Sequence, residues 1–129
     1  MADILVDTDI LIDVARGIEE AMVALASWEA KGSVGVSVVT YMELLVGCHD
    51  KREQRAVEKF MERFELIPVS VDISEEAIQL LQRYRLSHGL LIADAMIAAT
   101  AIVNGIPLVS KNQRDYRYID GLSLWAYPL

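Results

Sequence analysis

Ile4-Leu5-Val6-Asp7-Thr8-Asp9-Ile10-Leu11-Ile12-Asp13 is the stretch that decides the fold. Ile4, Leu5 and Val6 are apolar on both sides of a pleat, the pattern of a parallel strand buried on both faces. From Thr8 the apolar residues Ile10, Leu11 and Val14 fall at helical spacing, and Gly17 is suited to a helix C-cap. A buried strand therefore passes into a helix with no room for a hairpin, and a carboxylate, Asp7, stands at the junction.

The same unit recurs along the chain. Strands are expected over Ser33 to Val38, Glu65 to Val71, Leu108 to Ser110 and Leu122 to Ala126. Pro68 implies an edge position or an early end for the third strand. Helices are expected over Ile18 to Ala30, Val39 to Val46, Lys51 to Phe64, Asp72 to Ser87 and Asp94 to Val103, with a short turn or helix from Gln113. Strands alternating with helices predict one α/β domain over residues 1–129, a three-layer α/β/α sandwich on a mainly parallel sheet of about five strands.

Hydrophobic residues make up 53% of the 129, enough for a core, and disorder is excluded at that content. The single cysteine, Cys48, leaves no intrachain disulfide and no cysteine zinc site. His49 and His88 lack partners at metal-ligand spacing and are expected in loops or at helix ends. No basic stretch precedes the first apolar run, and the longest apolar segment, Leu90 to Val103, is broken by Asp94. These features imply no membrane span and a cytoplasmic location.

A net charge of −7 argues against nucleic acid at first sight. Carboxylates pooled at a bound cation would change the local sign. The basic residues also cluster. Lys51, Arg52, Arg55, Lys59 and Arg63 read as a solvated helix face, partly paired with Glu53, Glu58 and Glu62. Lys111 and Arg114, with Arg117, flank Asp115 and are the better phosphate contacts.

Four acids stand near strand ends or helix starts: Asp7, Glu43, Asp94 and Asp115. Open α/β sheets gather ligands at such points. Carboxylates drawn into one cleft repel, and an oxygen-only ligand set suits Mg²⁺ or Mn²⁺. Each acid has an ordinary alternative. Asp7 or Thr8 reads as the N-cap of the first helix, and Asp94 as that of a later one. Thr40-Tyr41-Met42-Glu43 reads as a capping box, and Asp115 as a loop acid. A cap does not explain Asp7, Asp9 and Asp13 together, although Asp13 is expected at the surface. Asp94 lies among apolar neighbours, where a lone carboxylate is costly. Ser110 and Asn112 are neutral-oxygen alternatives to Asp115.

Taken in order, the motifs resemble the PIN-domain family, in particular the VapC-type toxin ribonucleases. Residues 4–13 resemble the family's opening motif, Ser37 to Gly47 its second, Asp94 to Ala101 its third and Leu108 to Tyr116 its last. Thr is usual at the place of Ser110, Phe at that of Tyr116, and Asn or Ser at that of Asp9. Each motif alone is weak, but four in order span nearly the whole chain.

The resemblance implies a Mg²⁺- or Mn²⁺-dependent endoribonuclease in which Asp7, Glu43, Asp94 and Asp115 hold the metal. Asp9 and Asn112 are secondary candidates, and Lys111 and Arg114 would meet substrate phosphate. It further implies an RNA substrate with exposed single-stranded segments, a homodimer, and a VapB-like antitoxin that covers the cleft. Met22, Trp28, Leu45 and Val46 would serve that contact or, more simply, the core. Two other readings remain. Val6-Asp7-Thr8-Asp9 also resembles the first motif of haloacid-dehalogenase phosphatases, with Asp7 as nucleophile. A non-catalytic RNA- or protein-binding module would keep the acids as caps.

Overall fold

A computed structural model describes residues 1–128; Leu129, the last residue of the expected domain, lies outside them. The order of elements is β1 (Ile4–Val6), α1 (Thr8–Ala15), α2 (Glu19–Lys31), β2 (Val34–Ser37), α3 (Val38–Val46) and α4 (Lys51–Met61). Then come β3 (Glu65–Ile67), α5 (Val71–His88), α6 (Ile92–Asn104), β4 (Leu108–Val109), α7 (Gln113–Tyr116) and β5 (Leu124–Trp125). The five strands lie in the order β3-β2-β1-β4-β5, and every neighbouring pair is parallel.

Alternation along the strands builds the layers. Leu5 and Leu108 face a core made by α5, α6 and residues up to Ile119. Ile4, Val6, Val34, Val36 and Val109 face the opposite core, made by α1, α2 and Met61. Both faces of the central strands are thus covered, as a parallel sheet requires.

Several boundaries differ from the sequence reading. The third strand stops at Ile67, because Pro68 cannot donate to a ladder, and it lies at the sheet edge as Pro68 implied. Helix α5 begins earlier than Asp72, since Ser70 accepts the Ile73 N–H and caps it. Helix α4 ends at Met61, yet Val57, Phe60, Met61 and Phe64 still pack inward. Met22 and Val46 are 48% and 86% exposed, which removes them from the core.

Gly35 in β2 is required by a close approach. A Cβ there would meet the Ala2 Cβ at 2.7 Å and the Ile4 carbonyl oxygen at 3.2 Å. Gly35→Ala is expected to push β1 from β2 and destabilise the chain by about 1–3 kcal/mol, read from the midpoint of urea unfolding.

Candidate metal centre

Strand β1 is where the sheet reverses its winding, with β2 on one side and β4 on the other. In such sheets the crevice opens beyond the carboxyl ends of the strands flanking that point. Asp7 follows β1 and Ser110 follows β4. The register Val6↔Val109 and the Asp7 N–H···O=C Val109 bond (3.0 Å) hold the two ends together.

Asp7 is buried and does cap α1, through its Oδ1 and the Thr8 N–H at 2.9 Å. Its second oxygen faces the crevice, where the Ser110 hydroxyl donates to it at 2.7 Å. That hydroxyl is also 3.2 Å from Asp9 Oδ2, and it accepts the Asn112 N–H at 2.9 Å. Asp9 Oδ1 is buried without a hydrogen-bond partner, alone in this among the described side-chain atoms.

Glu43 is not in a capping box. Helix α3 starts at Val38, capped by the Ser37 hydroxyl, so Glu43 lies beyond the first turn. It instead receives the Thr8 hydroxyl at 2.7 Å, and Thr8 Oγ1 lies 2.9 Å from Thr40 Oγ1. Asp94 is not an N-cap either. Helix α6 begins two residues earlier, and Leu91 in the cap position offers no side-chain bond. Asp94 lies in the first turn, where the helix dipole favours a negative charge. The buried Tyr116 hydroxyl donates to it at 3.2 Å and is also within reach of Asp7.

Asp115 sits on α7 and accepts the Asn112 side-chain amide. That contact uses the Asn112 side-chain nitrogen, so Asn112 supports Asp115. Asp13 is not a surface acid. Its side chain is 15% exposed and binds the Lys111 ammonium at 2.7 Å. This pair holds Lys111, one expected phosphate contact, against α1. Arg114 is exposed on α7. In the first basic cluster Arg63 pairs with Glu29 of α2, not with its helix neighbours.

The electrostatics record the crowding. Burial pushes the Asp7 carboxyl up to about 7, the Asp9 charge adds to this, and Asp94 contributes less. Burial raises Asp9 too. Asp94 is raised by burial, then by the charges of Asp115, Glu43 and Asp9. The acids from four parts of the chain therefore share one field. They do not share one point. Among the described residues no three His, Cys, Asp or Glu side chains are close enough to grip one ion as they stand. The Ser110, Thr8 and Tyr116 hydroxyls hold the acids' oxygens in separate small contacts.

The donor set fits a hard divalent cation. All donors are oxygen, one buried carboxylate oxygen is unspent, and the nearest fixed cation, Lys111, is committed to Asp13. The sequence reading gave Thr8 and Thr40 only capping roles and the Tyr116 hydroxyl none. Thr8 and Thr40 could have been found from position, since Thr40 is one helical turn before Glu43. Tyr116 stood out only as a departure from Phe.

Comparison with known proteins agrees in extent and in kind. The PIN-domain family model matches residues 4–122. Ribonuclease VapC10 of Mycobacterium tuberculosis is 33% identical over 127 residues, covering 98% of this chain and 86% of its own length. Ribonuclease VapC1 of Methanocaldococcus jannaschii is 29% identical, covering 96% and 86%. A toxin–antitoxin complex from Klebsiella pneumoniae contains a chain that superposes with a TM-score of 0.81 at 32% identity, covering 95% of this chain and 96% of that one. A chain of the DNA-bound VapBC of Salmonella typhimurium shares the fold at TM-score 0.83 and 22% identity, covering 97% and 98%.

Proposed function

We infer that this chain, which belongs to the PIN-domain family, is an endoribonuclease and the toxin of a VapBC-type toxin–antitoxin pair. The observation that carries the reading is the acid corner at the ends of β1 and β4, combined with relatives of matching length named as ribonucleases. The phosphatase and the non-catalytic module give way to it, because the family match runs through all four motifs.

Asp7, Glu43, Asp94 and Asp115 would hold a divalent cation, Mg²⁺ or Mn²⁺, with Asp9 Oδ1 as a further oxygen. When bound, that cation neutralises phosphate charge and lowers the pKa of water. The chain's own residues do the rest. Ser110 aims Asp7, Thr8 aims Glu43 and Tyr116 aims Asp94, each through a hydroxyl. Asn112 steadies Asp115. Arg114 is free to meet a substrate phosphate, whereas Lys111 reaches one only by sharing its charge with Asp13. Asp7 and Ser110 close the buried floor of the crevice, so RNA approaches over the exposed Glu43 and Arg114 side.

An antitoxin would lie in the groove between α1, α3 and α4. Ile12, Ala15, Leu44 and Val57 line it with Arg16, Glu43 and Glu53, and the two carboxylates would take an inserted arginine. A second copy of the chain fits the apolar corner of α5 and α6, where Leu86 is fully exposed beside Leu91 and Ile92. Among the described residues no helix is long and apolar enough to cross a membrane. Action on RNA in the cytoplasm fits that.

The test is direct. Purified protein with end-labelled single-stranded RNA is expected to cut it when Mg²⁺ or Mn²⁺ is added. EDTA should stop the reaction and excess metal restore it. RNA left whole under every divalent cation tried would remove the reading.

A further inference from the structure

Three rings meet beside the acid corner, from the last turn of α5 and the segment after α7. Tyr84 is buried, and its hydroxyl accepts the Asp120 N–H at 3.1 Å. Tyr118 meets Tyr84 nearly edge-on, at 5.1 Å and 63°. His88 lies flat on Tyr118, at 4.0 Å between centroids and 10° between planes. The other aromatic pairs among the described residues are tilted or edge-on, the usual preference in a core. Tyr84 stands beside the flat pair, 5.1 Å from Tyr118 and 5.9 Å from His88, so it flanks the stack without covering it, and His88 is exposed.

The pair is fixed in place. Ser87 Oγ lies 2.7 Å from His88 Nδ1. Gly89 ends α5 in the left-handed region, and the Arg85 guanidinium ties the Gly89 and Leu90 carbonyls at 2.9 and 3.3 Å. A surface held this way loses little entropy when something lands on it. Its position is also defined. His88 is six residues before Asp94, and Tyr118 is two after Tyr116, whose hydroxyl reaches Asp94. Burial raises the Tyr118 hydroxyl, and the charges of Asp115 and Asp94 add to it, which places the ring in the field of the acids.

We propose that the His88–Tyr118 stack is a platform on which an unstacked base of single-stranded RNA continues the stack, seating the strand beside the acid corner. The proposal rests on the ribonuclease reading and goes beyond it, by naming where the substrate is gripped. It also answers a problem of charge. The net charge is −7, and of the cations flanking Asp115 in the chain Lys111 is already paired with Asp13. Contact with the face of a base needs no positive charge and tolerates any sequence.

The test uses a single-stranded oligoribonucleotide with 2-aminopurine placed at each position in turn, with Ca²⁺ in place of Mg²⁺ for binding and Mg²⁺ for cleavage. Wild type is expected to quench the fluorophore at one position near the cut. His88→Ala should lose that quench and raise KM about tenfold, with the effect on KM rather than kcat, and His88→Trp should restore both. A wild type that cleaves while His88→Ala matches it in quench and KM overturns the platform alone. A wild type that neither binds nor cleaves the RNA overturns the platform and the ribonuclease reading together.

Discussion

Asp7→Asn is expected to abolish Mg²⁺-dependent RNA cleavage, by at least about a thousandfold, or ~4 kcal/mol of barrier. The fold should survive. Asn keeps an oxygen for the Thr8 N–H, so the cap on α1 remains. It also keeps a partner for Ser110 at the same place. What disappears is the charge, and the site loses the one acid that reaches it directly from the central strand. Unchanged far-ultraviolet circular dichroism beside lost cleavage is the expected pair of results. Full cleavage by the purified variant would show that Asp7 serves only as a cap.

Stability of the EDTA-treated protein is expected to fall as pH rises from about 4 to about 7, opposite to the trend set by carboxylates in ion pairs. Burial lifts the Asp7 carboxyl from 3.8 to about 7 on folding. Between those values the folded chain keeps a proton that the unfolded chain has released. The contribution is therefore full below the unfolded value and is lost as pH rises through the folded one. Three units amount to a loss on the order of 4 kcal/mol. Asp9 and Asp94 are raised as well and act in the same direction. Glu53 is lowered by His49, but that pair is exposed and adds little against them. Saturating Mn²⁺ should offset much of this loss above pH 7, since a ligand at a hundred times its Kd adds about 2.7 kcal/mol. Urea unfolding at pH 5 and pH 8, with EDTA and with Mn²⁺, measures all four corners. Stability that rises with pH in EDTA would mean that the acids do not strain the folded state. In Asp7→Asn the slope in EDTA should flatten.

The local order of this chain is written in short-range pattern. Ile4-Leu5-Val6 before Ile10 and Leu11 made a strand and a helix legible, and the structure has β1 and α1 there. Pro68 foretold the short edge strand, and Gly89 and Gly105 end α5 and α6 in the left-handed conformation that favours glycine. The errors were errors of partner. Glu43 looked like half of a capping box because Thr40 stands three residues before it. Its hydroxyl partner is Thr8, 35 residues away. Asp13 looked like a surface acid until Lys111, 98 residues on, closed over it. Arg63 looked like a member of its own helix face and is held by Glu29.

By itself the sequence determined the alternation of strand and helix, the acids at their junctions and the family they mark. Those depend on backbone propensity and on periodicity over a few residues. Only the folded sheet decided which oxygens meet, because β1 lies between β2 and β4 and brings together the ends of segments far apart in the chain. The same packing buries Asp7 and leaves one Asp9 oxygen without a partner, and desolvation of a carboxylate has no signature in the order of residues.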